Sequence, residues 1–120
     1  MAEPDRDDRK RLMQVALNEA ALRQVNERIY GPGKRGGDLP EFHIVCECGV
    51  ISCETTLTVD ATLYSSVRSD PHRFLVKTGH EIPEAETVVL RHGDIAIVEK
   101  RPGEARLVTE ATDPRSDNSN

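Results

Sequence analysis

All three cysteines of the 120-residue chain lie within eight positions, at Cys46, Cys48 and Cys53. An odd number of cysteines leaves one thiol over in any purely internal disulfide scheme. The N-terminal stretch MAEPDRDDRKRLM is charged and lacks the apolar segment of a secretory signal. We therefore expect a cytoplasmic protein, because thiols stay reduced there and clustered cysteines more often bind metal or carry out redox chemistry.

The packed part of the chain is expected to be small. Four segments are predicted from composition: an N-terminal helix (1–30), a glycine-rich linker (31–40), an α+β domain around a zinc site (41–112) and a disordered tail (113–120). A core shared by roughly 70 residues yields only a few kcal/mol of net stability, so small domains often add a metal or disulfides. A structural metal is therefore plausible on energetic grounds alone.

Charge and hydropathy argue against two classes of partner, nucleic acids and membranes. The net charge is −5, and residues 38–112 carry thirteen acids against seven bases. Binding nucleic acid requires a basic face that neutralises phosphates, so the acidic composition disfavours nucleic acid as the main partner, and a nucleic-acid role ranks third, with salt-dependent binding as its signature. No run in the chain approaches the roughly 18 consecutive apolar residues that cross a bilayer, so we expect no membrane span.

Residues 5 to 30 are predicted to form an amphipathic helix. Apolar residues recur at intervals of four, which places them in one broad stripe. The stripe comprises Leu12, Ala16 and Ala20 beside Met13, Leu17, Ala21, Val25 and Ile29. The residues predicted to lie outside it include Arg9, Arg23, Asn26 and Glu27.

The helix is predicted to end at YGPGKRGG, where Gly31 and Pro32 terminate it and a flexible link follows. Two roles stay open for the helix. It either packs back on the domain as part of the core, or it docks on a protein partner or on a second copy of the chain.

The rest of the chain predicts a small sheet and one short helix. EFHIVCEC and RFLVKT have the composition of strands, and TVVLRHGDIAIVEK predicts a hairpin that turns at His92-Gly93-Asp94. The short helix is predicted to start at an N-cap, Thr58, and to end at Asp70-Pro71. The tail TEATDPRSDNSN is polar and is expected to be disordered. The predicted fold class is α+β.

The pattern Cys46-x-Cys48-Gly49-x3-Cys53 favours a zinc site. Zinc takes four ligands, and a glycine permits the tight turn that brings consecutive thiolates to one ion. The flanking Glu47, Ser52 and Glu54 do not resemble an apolar core. Buried inert cysteines and thiol redox chemistry remain alternatives, whereas an iron–sulfur cluster is disfavoured because only three thiolates exist and the usual spacing is missing.

A histidine is the natural fourth ligand, and the chain has four. His80 follows a strand that can pair beside the cysteine strand, and Gly79 gives freedom to aim its ring. His43 is next in order, although alternation along a strand turns it away from Cys46 and Cys48. His92, in the hairpin turn, and a water molecule stay open as well.

Two motifs resemble a known family. The first motif is F-x3-CECG-x3-C, within EFHIVCECGVISC. The second is RSDP-x-RFLV-x-x-GHE, within RSDPHRFLVKTGHE. The chain looks like a member of an uncharacterised family of small bacterial cytoplasmic proteins over roughly residues 18 to 115. The resemblance implies that Cys46, Cys48, Cys53 and His80 belong to the family's shared core. It implies no activity, because none is established for the family.

No constellation commits the chain to catalysis. We therefore expect a noncatalytic interaction or regulatory module with a structural Cys3His zinc. One alternative is a thiol-based redox sensor that releases zinc on oxidation. Another is a small metalloenzyme with an open coordination position and Glu47, Glu54 or Glu81 as the base.

Overall fold

The computed structural model describes residues 6–30 and 41–115 of the chain, so the predicted linker (31–40) and the last five residues lie outside the described part. The fold is α+β, as predicted. The elements in chain order are α1 (Arg6–Tyr30), β1 (Phe42–Val45), β2 (Thr56–Val59), α2 (Ala61–Arg68), β3 (Arg73–Lys77), β4 (Glu86–His92), β5 (Ile95–Lys100) and α3 (Glu104–Ala111).

The described strands form two antiparallel sheets where the sequence predicted one. β1 pairs with β2, and the second sheet has the order β3-β5-β4. The predicted hairpin is confirmed: β4 and β5 pair from His92 opposite Ile95, and Gly93 turns the chain with φ +63°. The CEC segment runs beside β3, since the Glu47 amide donates to the Leu75 carbonyl at 2.9 Å.

The prediction that Thr58 caps the short helix is wrong. Thr58 lies in β2, where Leu57 and Val59 are buried and the threonines are exposed. This alternation has the period of a strand with one buried face. The N-cap of α2 is Asp60, whose Oδ1 accepts a hydrogen bond of 2.7 Å from the Leu63 amide.

Three aromatic rings join the end of α1 to the body of the domain. Tyr30 stacks on Tyr64 with ring centroids 4.9 Å apart, and it contacts Phe42 at 5.4 Å. All three side chains are buried. The structure therefore shows α1 packed against the domain, which is the first of the two roles predicted for it.

The predicted orientation of α1 is wrong in part, because the helix buries polar residues and exposes apolar ones. Arg23 and Asn26, predicted to lie outside the packed stripe, are 1% and 0% exposed, whereas Leu17 is 48% exposed. Arg23 donates to the carbonyls of Pro71 and Thr109 at 2.7 and 2.9 Å. The prediction was wrong because hydrophobic periodicity assigns every polar residue to the exposed face. A polar side chain can be buried when the protein supplies its hydrogen-bond partners.

The C-terminal stretch is more ordered than predicted. Residues 109–111, assigned to a disordered tail, end helix α3, and Thr109 is fully buried against α1. Arg115 pairs with Glu27 at 3.0 Å and lies over the Tyr30 ring at 5.3 Å from its centroid. The described end of the chain is thus held by contacts with α1 that hydropathy does not reveal.

A buried charged triad joins α1 to the three-stranded sheet. Lys100 Nζ lies 2.6 Å from a carboxylate oxygen of Glu19 and 3.4 Å from one of Glu86, and all three side chains are fully buried. Oε2 of Glu19 has no hydrogen-bond partner among the described residues. Burial, followed by repulsion from Glu86, raises the pKa of Glu19 well above its usual value.

We expect Glu19→Gln to make the stability of the fold less dependent on pH. A carboxyl group whose pKa is raised by folding stabilises the fold fully below its unfolded pKa and loses that contribution as the pH rises through its folded pKa. The variant should therefore gain stability relative to the parent chain as the pH rises, which urea unfolding at a series of pH values measures. If the free energies of unfolding of the two proteins differ by the same amount at every pH, the pKa of Glu19 is not raised by folding.

Candidate metal centre

The structure brings the four predicted ligand residues together from three segments. Cys46 and Cys48 follow β1, Cys53 precedes β2, and His80 lies in the turn after β3. One ligand atom from each lies within 4.8 Å of all the others. Among the described residues, this is the one group of histidines, cysteines and carboxylates with metal-site spacing.

Two of the ligand–ligand distances match those around a tetrahedral ion. His80 Nδ1 lies 3.6 Å from Cys46 Sγ and 3.7 Å from Cys53 Sγ. Zinc bonds of about 2.3 Å to sulfur and 2.0–2.1 Å to nitrogen at tetrahedral angles place the two ligand atoms about 3.6 Å apart. The donor set is therefore chemically and geometrically able to hold a metal ion.

His80 is positioned by the turn that ends β3. Its amide donates to the Lys77 carbonyl at 2.8 Å, and the Thr78 amide donates to the Asp94 carbonyl at 2.7 Å. The Lys77 amide also donates to Cys46 Sγ at 3.3 Å. The predicted adjacency of this strand and the cysteine segment is thus present in the structure.

The other histidines lie away from the sulfurs. His43 is exposed on β1, with Nδ1 3.0 Å from the hydroxyl oxygen of Thr58. His92 is exposed at the β4–β5 turn. His72 approaches a Glu110 carboxylate oxygen at 2.8 Å. Strand alternation therefore predicted the direction of His43 correctly.

The three thiols differ in burial and in acidity. Burial raises the pKa of Cys46 to about 12, against a partial lowering by the Lys77 amide. Burial also raises the pKa of Cys48. Cys53 is less buried, and hydrogen bonds from the backbone and side chain of Thr55 outweigh that burial and lower its pKa. A cation binding here therefore displaces protons from Cys46 and Cys48.

Glu47, between two of the candidate ligands, is a fully buried anchor of the turn. Arg68 Nη1 and Nη2 donate to its two carboxylate oxygens at 2.7 and 3.1 Å. The Leu75 amide and the Asn26 side-chain amide donate to the same carboxylate at 2.9 and 2.7 Å. Four donors fix the residue that separates Cys46 from Cys48, so both thiols face the opposite side of the segment.

From its sequence position Glu47 is a polar neighbour of the cysteines and a candidate base of the metalloenzyme alternative. Its carboxylate is instead committed to Arg68 and to two amides, with no exposed surface. Alternation indicates only that Glu47 faces away from the two cysteines. His43, which has the same parity along the segment, is exposed, so the sequence gives no signal that Glu47 is buried. The sequence does not say that the partner is Arg68.

Gly49 fits the cysteine turn against α1. Its φ is +83°, and a Cβ built at this position would lie 2.8 Å from Val15 Cγ1 and 3.1 Å from the Val15 carbonyl oxygen. Asn18 Nδ2 donates to the Gly49 carbonyl at 2.9 Å. Glycine is therefore needed here both for the backbone conformation and for the close approach of the helix.

We expect Gly49→Ala to destabilise the domain by about 2 to 5 kcal/mol, from left-handed backbone strain together with overpacking against Val15. Urea unfolding measures the loss. The matched control is Gly93→Ala, which has a similar φ of +63° but nothing within 4 Å of the added Cβ, and which should cost only the left-handed backbone strain of about 1 to 2 kcal/mol. Equal losses in the two variants would rule out close packing of the turn on α1.

Comparisons with protein-family models, curated proteins and solved structures return no significant match. The resemblance to a family of small bacterial proteins therefore stays a prediction. Within the described residues, no helix combines the length and apolar character needed to cross a membrane.

Proposed function

We propose that this protein is a noncatalytic interaction or regulatory module whose fold depends on a structural zinc ion held by Cys46, Cys48, Cys53 and His80. The observation that carries the proposal is the convergence of three sulfurs and one imidazole nitrogen within 4.8 Å of one another. Four protein ligands complete a tetrahedral shell, and a complete shell is typical of structural zinc, whereas catalytic zinc keeps one position for water or substrate.

The donor set supports zinc over other ions. Thiolate and imidazole are soft to borderline ligands that suit zinc, and magnesium and calcium prefer oxygen. Glu47, which lies between two of the cysteines, is held by Arg68. Among the described residues, the group with metal-site spacing contains three cysteines and one histidine and no carboxylate.

The position of the site supports a structural role. The four residues come from the two sides of the β1–β2 connection and from the turn after β3, which belongs to the other sheet. An ion at this point joins both sheets, and its binding free energy adds to that of a small core. The proposed compartment is the cytoplasm, because the three cysteines are free thiols and such clusters persist under reducing conditions.

X-ray absorption at the zinc edge of the full-length protein tests the proposal. The expected shell has three sulfur atoms at about 2.3 Å and one nitrogen at about 2.0–2.1 Å. An additional or substituted water oxygen would refute the closed site and would favour the metalloenzyme alternative. In that alternative Glu54 or Glu81 has to act as the base, and the Glu81 carboxylate already accepts from the Gly79 amide at 2.8 Å.

A redox-sensing role is the second candidate, favoured by the unequal burial of the thiols: Cys46 and Cys48 are buried, and Cys53 is partly exposed. Hydrogen peroxide would take two electrons from the metal-bound thiolates of Cys53 and a neighbouring cysteine and two protons from the solvent, giving one disulfide, two waters and a released metal ion. Thiol counting during a peroxide titration tests this candidate. Thiols that stay reduced at modest peroxide concentrations exclude it.

A further inference from the structure

The four candidate metal ligands divide into an inner pair and an outer pair. Cys46 and Cys48, the inner pair, are 2% and 1% exposed and pack in one core cluster with apolar side chains of β3 and β5. Cys53 and His80, the outer pair, are only partly buried. An ion bound by all four residues therefore has one side in the core and the other side near solvent.

The outer pair lies beside exposed segments of the chain. Residues 50–52, directly before Cys53, are exposed, and so is Glu54 directly after it. Residues 78–79, directly before His80, are exposed as well. Approach of a small molecule to the outer pair therefore does not require the core to open, whereas approach to the inner pair does.

The segment of the inner pair is fixed to the sheet. Glu47, which separates the two cysteines, is bound by Arg68 through two hydrogen bonds and by the Leu75 amide of β3. The Cys53 amide instead donates within its own turn, to the Val50 carbonyl at 2.9 Å. Loss of the bond between Cys53 and the ion therefore leaves the segment of the inner pair attached to β3.

Hydrogen bonding does not shield one sulfur alone, because each of the three accepts from a backbone amide. The donors are the amides of Lys77 for Cys46, Val50 for Cys48 and Thr55 for Cys53. Three thiolates outweigh the double positive charge of a zinc ion, so the sulfurs of the loaded centre stay electron-rich. Access from solvent then decides which sulfur reacts with a soft electrophile.

We propose that Cys53 is a regulatory modification site of the zinc centre, at which a carbon electrophile of the α,β-unsaturated carbonyl class reacts. The inference rests on the zinc site proposed above. The Cys53 sulfur forms a bond to the β carbon of the electrophile, and the π electron pair moves to the α carbon, which takes a proton from solvent. The product is a neutral thioether that has lost the charge with which a thiolate binds zinc. The bond between sulfur and zinc breaks, and water takes the fourth position.

His80, the other partly exposed ligand, is not the site of this reaction. Its Nδ1 lies 3.6 and 3.7 Å from the Cys46 and Cys53 sulfurs, on the side where the ion binds. An imidazole nitrogen is also a harder donor than a thiolate. The modified centre therefore keeps three protein ligands, which are Cys46, Cys48 and His80, and gains an open position.

N-ethylmaleimide, a reagent of this class, tests the inference on the full-length, zinc-loaded chain. After a short reaction with equimolar reagent, fragment spectra of the digested protein assign the adduct to one cysteine. We expect Cys53 to react on the order of tenfold faster than the inner pair, which is the internal control. Native mass spectrometry should show one zinc ion on the singly modified chain, and a chelator should remove that ion faster than it does from the unmodified chain.

The stripped protein provides a second control. Once the metal has been removed, the three cysteines should react at similar rates, because the core that shields the inner pair opens with the fold. Equal rates in the loaded protein, a first adduct at Cys46 or Cys48, or no adduct where the stripped protein reacts would each overturn Cys53 as the site. Zinc that leaves the adduct no faster than it leaves the unmodified chain would overturn the regulatory role.

The zinc content separates this inference from the metal proposal. If the unmodified chain holds one zinc ion, each of those contrary results refutes the modification site and leaves the metal proposal standing. A chain that binds no zinc refutes the metal proposal itself and, with it, the regulation of the centre through Cys53.

Discussion

Removing the metal with a chelator should unfold the domain and not merely empty the site. The ion would hold together the β1–β2 connection and the turn after β3, which belong to different sheets. Structural zinc contributes about 10 to 16 kcal/mol in small zinc domains, and a core of this size supplies only about 3 to 5 kcal/mol. We expect the dispersed amide resonances of the metal-loaded protein to collapse when the ion is removed.

Returning ions to the stripped protein provides the control. Zinc should restore the dispersed spectrum, whereas magnesium at the same concentration should not, because thiolates do not bind it well. A spectrum that stays dispersed after complete removal of the metal would make a structural role untenable. The open-site metalloenzyme would then be the better account of the same four residues.

Among substitutions at buried positions, we expect those of Arg68 to cause the largest loss in the free energy of unfolding. Its guanidinium is 1% exposed, donates to both Glu47 oxygens and also donates to the Arg73 carbonyl at 3.0 Å. Arg68→Met preserves much of the volume but leaves the Glu47 carboxylate buried without its counter-ion, which costs about 3 to 5 kcal/mol. Urea unfolding of the metal-loaded protein measures the change.

Two further variants distinguish ion pairing from packing. Adding Glu47→Gln to Arg68→Met removes the buried charge and should recover part of the loss. Arg91→Met breaks an exposed pair with Glu81, whose atoms lie 3.4 Å apart, and should cost less than about 1 kcal/mol. If the double variant is no more stable than Arg68→Met, the buried charge is not the cause of the loss.

The three candidate cysteine ligands could be found from the sequence because their signal is local. Cys46, Cys48 and Cys53 are close along the chain, and strand alternation separated His43 from them without a structure. The choice of His80 used one long-range assumption, that the strand before it lies beside the cysteine segment. The bonds between Glu47 and Leu75 show that arrangement.

The residues that support the site could not be found in this way. Arg68 and Asn26 are far from Glu47 in sequence, and each reads as a solvated side chain when only hydropathy is considered. For the same reason, Arg23 was assigned to the exposed face although it is buried. Helix α3 was not predicted, because its Thr109 is buried by a contact with α1 that hydropathy does not show. Buried polar networks depend on tertiary geometry, and periodicity carries no information about which polar groups will meet.

Native mass spectrometry of the full-length protein, purified without chelators and supplied with zinc, tests the central claim most directly. We expect one zinc ion per chain, a clear loss of bound zinc in His80→Ala, and unchanged stoichiometry in the control His43→Ala. A stoichiometry near zero in the parent chain, or equal zinc in all three proteins, would contradict the assignment of Cys46, Cys48, Cys53 and His80 as a structural zinc site.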